Sequence, residues 1–103
     1  MSTGYANVVA YLTYQNTWMG INAYANSIPS GTHTLSCIYR NEPISGSSGS
    51  WMSCGSPVSG SASYLTTSTT SFCPVPGTRW HAFASLYKGS VWKQDDNKWK
   101  VAV

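Results

Sequence analysis

The sequence predicts an all-β fold. We expect a single small antiparallel β-sandwich over residues 1–103, immunoglobulin-like in outline, with seven to eight short strands and no helix. Three observations predict it. Residues alternate in character along most of the chain, as they must when successive side chains point to opposite faces of a strand. Gly, Pro, Ser and Asn punctuate these runs at the spacing of sandwich strands. No stretch keeps a helical period for several turns.

Tyr5 to Tyr14 reads as the first strand. Ala6, Val8, Ala10, Leu12 and Tyr14 share one face, and Asn7, Val9, Tyr11 and Thr13 share the other. Gln15-Asn16 is a turn, and Thr17 to Ala25 returns as the partner of a hairpin. A loop around Pro29-Ser30-Gly31 leads to a third strand, Thr32 to Arg40. Ser45 to Ser50 has linker composition, but each flank is too small to hold a core alone. Short strands are expected at Trp51 to Cys54 and around Tyr64-Leu65-Thr66. Thr78 to Lys88 is the clearest strand, with Trp80, Ala82, Ala84 and Leu86 opposite His81, Phe83, Ser85 and Tyr87. Lys88-Gly89 turns the chain into Ser90 to Gln94. Asp95-Asp96-Asn97 reads as a further turn, since these side chains bond to nearby backbone. Lys98 to Val103 closes the domain. The Cys…Trp…Cys order of true immunoglobulin domains would need a cysteine near Phe83 or Ala84, and there is none.

Composition narrows the function classes. Charged residues make up 9% of the chain, against about a quarter in an average domain. The 17 Ser and 10 Thr fill that gap. The chain is too apolar, at 42%, for a disordered tail. The net charge of +3 is a mild basic bias without a dense Lys/Arg tract, so no nucleic-acid partner is expected. Met1-Ser2-Thr3-Gly4 shows neither the basic nor the apolar part of a signal peptide. Low charge with abundant Ser, Thr, Gly, Asn and Tyr nevertheless points to a secreted or extracellular domain, with Met1 added to a mature chain.

Cys37, Cys54 and Cys73 contain no CxxC pair, which argues against a zinc ribbon or a thioredoxin-type site. Three cysteines allow one intrachain bridge. Cys54–Cys73 is expected, closing the Ser/Thr-rich stretch, with Cys37 a buried free thiol. Cys37–Cys54 is the main rival, and three reduced thiols are the remaining alternative.

The acid/base inventory is thin: Glu42, Asp95, Asp96, His33 and His81. His81 reads as a half-exposed strand residue and His33 as a solvated edge position. Adjacent Asp95 and Asp96 would point apart on a strand, not into one cleft as a glycosidase pair requires. No catalytic residue, metal site or cofactor is expected.

The aromatics carry the most information. Seven Tyr and five Trp exceed what the inner faces of so small a sandwich hold. Rings beside Asn, Ser and Thr suit contact with a carbohydrate or protein ligand. Tyr11, Trp18 and Tyr24 form one expected contact face. Trp92, Lys93, Lys98 and Lys100 form a second, suited to an anionic envelope surface. The expected function is thus a non-catalytic binding module for a glycan or protein. A small toxin or effector acting at a cell envelope, and a structural subunit of an assembly, are the alternatives.

Overall fold

The computed structural model describes residues 4–103; Met1 to Thr3, which carry most of the leader argument, lie outside the described residues. Two antiparallel sheets pack face to face, and the described residues include no helix. The strands are β1 (Asn7–Gln15), β2 (Trp18–Asn26), β3 (His33–Asn41), β4 (Met52–Ser53), β5 (Val58–Gly60), β6 (Leu65–Thr66), β7 (Thr70–Phe72), β8 (Arg79–Lys88) and β9 (Val91–Val101). The first sheet holds β1, β2, β6 and β7, with the two short strands side by side along β2. The second follows the order β4-β3-β8-β9, with β5 also on β3.

The alternation places the core as expected. Val8 and Ala10 of β1 and Met19, Ile21, Ala23 and Ala25 of β2 are buried against Leu35, Cys37 and Tyr39 of β3 and Ala82, Ala84 and Leu86 of β8. Small alanines let the backbones approach, and larger side chains fill the ends. At one end Phe72 of the first sheet packs between Tyr39 (5.6 Å, stacked) and Trp80 (4.7 Å, edge-on) of the second. The Trp80 indole N–H donates to Thr78 Oγ1 at 2.8 Å, so the one polar atom of this ring has its partner. The other four tryptophans are 40–55% exposed.

The β1–β2 hairpin pairs Gln15 with Trp18 around a two-residue turn. Asn16 and Thr17 both have positive φ, 53° and 67°, as a turn matching the strand twist requires.

The structure corrects three readings. Asp95-Asp96-Asn97 is not a turn: the chain stays in β9 from Val91 to Val101. A partner that sequence cannot show compensates these strand-averse residues. The Asp96 carboxylate accepts a hydrogen bond from the Ala10 backbone at 2.9 Å, and the Gln94 side chain accepts one from Ala6 at 3.0 Å. β9 thereby caps the outer edge of β1, and each long edge strand shields the other.

The disulfide joins Cys37 to Cys54, not Cys54 to Cys73. β4 pairs with β3 through Ile38–Ser53 and Tyr39–Met52, which brings Cys54 opposite Cys37. The Cys54 N–H donates to the Cys37 carbonyl at 2.9 Å. Cys73 is exposed and free.

His33 is wholly buried rather than solvated. It lies between the Tyr5 hydroxyl, 2.6 Å from Nε2, and the Gly31 carbonyl, 2.9 Å from Nδ1.

Candidate functional site

The outer face of the second sheet carries a row of neighbours set by strand register. Arg40 of β3 pairs with His81 of β8, and His81 pairs with Trp99 of β9. Outward alternation puts all three on one face. The His81 ring stacks on Trp99, with centroids 4.4 Å apart and planes 19° from parallel. Trp51, entering β4 from the Ser/Gly-rich loop, meets His81 edge-on at 5.1 Å. The Arg40 guanidinium lies 4.3 Å from the centre of the Trp51 ring. His81, read from sequence as half-exposed, is only 8% exposed because two indoles cover it.

Glu42 organises this row. It follows β3 directly, and its N–H donates to the Arg79 carbonyl at 2.8 Å. Arg79 Nε donates to the Glu42 carbonyl at 2.7 Å. With the backbone so held, the carboxylate reaches across the sheet. Oε2 accepts from the Trp99 indole at 2.7 Å. Oε1 accepts from Arg40 at 2.8 and 3.1 Å and from His81 Nδ1 at 2.9 Å. These bonds, led by the one from Trp99, hold the Glu42 carboxyl down at about 2. On its other side His81 Nε2 lies 2.6 Å from the Asn97 side-chain amide, which can serve either protonation state of the ring by rotating.

The Glu42 carboxylate is not set up as a general acid or base. A general acid or base needs a titrating group near working pH and within reach of substrate. Glu42 has its acceptor sites filled and is held far below neutrality. What the face offers outward is two half-exposed indoles and the Arg40 guanidinium. Beside it, Pro43, Ile44, Thr78, Arg79 and Val101 help to line an open cleft of about 360 Å³. No group of three or more metal-ligating side chains gathers among the described residues.

The residues expected from sequence are partly brought together. Tyr11 and Tyr24 stand side by side on the outer face of the first sheet, ring centres 6.5 Å apart. Tyr64, which the sequence reading omitted, extends the pair at 6.4 Å from Tyr24. Trp18 shares that face but lies at the hairpin end, six residues of strand or about 20 Å from Tyr24.

Trp92, Lys93, Lys98 and Lys100 are not gathered on one face. The register shift near Leu86 and Tyr87 aligns Trp92 with Tyr87 and leaves Lys93 as the extra residue. Lys93 Nζ sits 5.3 Å from the Tyr5 ring centre. Lys98 and Lys100 pair with Ala82 and Trp80, opposite in phase to Trp99, and Lys98 bonds to Asp96 at 2.5 Å. Sequence reasoning missed Trp51, Glu42 and Arg40. The available signal was the shared outward phase of Arg40 with its strand neighbours.

No protein-family model and no curated protein matches the chain. Solved structures share its fold. R. palustris CsgH is 12% identical, with a TM-score of 0.58 over 89% of each chain. The E. coli curli protein CsgC is 14% identical, with a TM-score of 0.56 over 91% of this chain and 96% of its own.

Proposed function

We propose that this chain is a secreted, non-catalytic binding module that contacts a protein partner through Trp51, Trp99 and Arg40 on the outer face of its second sheet. The carrying observation is the 2.7 Å bond from the Trp99 indole to Glu42. It fixes a half-exposed ring before any partner arrives, so little side-chain freedom remains to be lost on binding. Trp and Arg dominate the energetics of protein contacts, and here they sit together on a rigid sheet. The Cys37–Cys54 disulfide supports an oxidising compartment. CsgC, which shares the fold, is described as a curli protein.

Peptides selected from a displayed random library on the immobilised chain, then titrated in solution, test this reading. Selected peptides are expected to compete for one site and quench tryptophan emission. Trp99→Ala should weaken them about tenfold or more, as removal of an interface anchor does. Peptides indifferent to both Trp51→Ala and Trp99→Ala would overturn the assignment.

A subunit of an assembly is the second reading, favoured by the fold shared with a curli protein. Its mark is a stable oligomer in light scattering, and a clean monomer removes it.

A further inference from the structure

The two outer faces differ in charge. The first charged residue in the chain is Arg40, and none of β1, β2, β6 or β7 contains Asp, Glu, Lys or Arg. The outer face of the first sheet therefore presents only Asn7, Asn22, Asn26, Thr13, Thr66 and similar uncharged groups around the tyrosines. Tyr11 stands on β1, Tyr24 on β2 and Tyr64 just before β6, so the row runs across the strands. Tyr11 is 49% and Tyr64 51% exposed. Register sets Asn22 beside Tyr11, and Val9 and Thr66 beside Tyr24.

We propose that the Tyr11–Tyr24–Tyr64 row is a second binding site, and that it takes a single chain of an uncharged polysaccharide. The ligand class follows from charge and chemistry. A nucleic acid or an anionic membrane needs cations, and this sheet supplies none. A second copy of the chain would need an apolar centre, whereas amides and hydroxyls surround these rings. A neutral glycan matches both features. Its C–H faces cover tyrosine rings, and its hydroxyls meet side-chain amides that carry no charge to desolvate.

The ring planes add a restriction. Tyr11 and Tyr24 are inclined at 56°, and Tyr24 and Tyr64 at 30°. Rings so inclined cannot all lie on one flat crystalline surface. They suit a soluble strand whose successive sugars rotate along its length.

Native gels containing hydroxyethylcellulose, laminarin or galactomannan, with alginate as the anionic counterpart, test the site. At least one neutral gel is expected to retard the protein, and raising the salt should not release it. Tyr11→Ala and Tyr64→Ala, each checked for an unchanged thermal melt, should each weaken retardation about tenfold, as loss of a stacking platform does. Microcrystalline cellulose should not pellet the protein. Free migration through all three neutral gels, retention that survives both substitutions, or preferential retention by alginate would overturn the proposal. So would a wild-type dimer in sedimentation that Tyr11→Ala dissolves, since the row would then be a self-contact.

Discussion

The Asp96 carboxylate of β9 accepts a hydrogen bond from the Ala10 backbone amide of β1 at 2.9 Å, joining the long edges of the two sheets. The same oxygen receives Lys98 Nζ at 2.5 Å. Removing the side chain leaves a partly buried amide without this acceptor. Asp96→Ala should lower stability by about 1.5 kcal/mol, the usual worth of a bond to a charged group, read as a lower urea midpoint. Asp96→Asn keeps an acceptor and should lose less. Amide exchange at Ala10 should accelerate in the alanine variant.

Glu42 makes the stability depend on acid. Its carboxyl titrates near 4.5 when unperturbed and at about 2 in the folded chain. A depressed carboxyl contributes stability that is complete above the unfolded value and declines as pH falls through the folded one. The melting temperature should therefore drop between pH 4.5 and pH 2. Glu42→Gln should be less stable at neutral pH and should flatten that segment of the profile. An unchanged slope in the variant would show that Glu42 does not drive it.

Thr17 occupies a backbone conformation that a β-branched residue adopts at a cost, with φ at 67°. Its hydroxyl donates to the neighbouring Asn16 carbonyl at 2.5 Å and takes a long contact from Cys73 Sγ at 3.7 Å, while the shorter bond from Cys73 Sγ to the Thr17 carbonyl, at 3.2 Å, is available to any residue. Thr17→Gly should raise stability by about 1 kcal/mol, because Asn-Gly suits this turn without strain. A thermal melt decides it, and a lower melting temperature would contradict the account.

The cysteines should be chemically distinct. Reaction with a thiol reagent under native conditions should find one group, lost in Cys73→Ser. That substitution should leave the melt nearly unchanged, since Cys73 is exposed. Cys37→Ser or Cys54→Ser should lower stability by about 3 kcal/mol, as opening a loop of this length does.

The β1–β2 hairpin, β3 and β8 are legible in the sequence because each buries one full face, so alternation reports the core directly. β5 (Val-Ser-Gly) and β7 (Thr-Ser-Phe) are not, because three residues are too few to show an alternation. The turn assigned to Asp95-Asp96-Asn97 fails for a different reason. Local chemistry favours reversal there, and the Ala6 and Ala10 amides that hold the strand straight are more than eighty residues away. The disulfide was beyond loop arithmetic: spacings of 17 and 19 residues differ negligibly in closure entropy, and strand register decided the pairing. The exposed tyrosine pair was legible, since Tyr11 and Tyr24 both oppose alanine-rich inner faces. The Glu42 row was not, because it converges from β3, β4, β8 and β9.

The absence of Asp, Glu, Lys and Arg from the strands of the first sheet has a consequence for encounters. The charged residues that make up the net +3 lie on or next to β3, β8 and β9, toward the second sheet. An external field therefore turns the molecule as well as drawing it in. Near an anionic surface it arrives with the second sheet leading and the tyrosines pointing away. The torque fades once the surface is more than about 8 Å off at physiological salt. Docking on one side thus leaves the opposite side oriented outward and open.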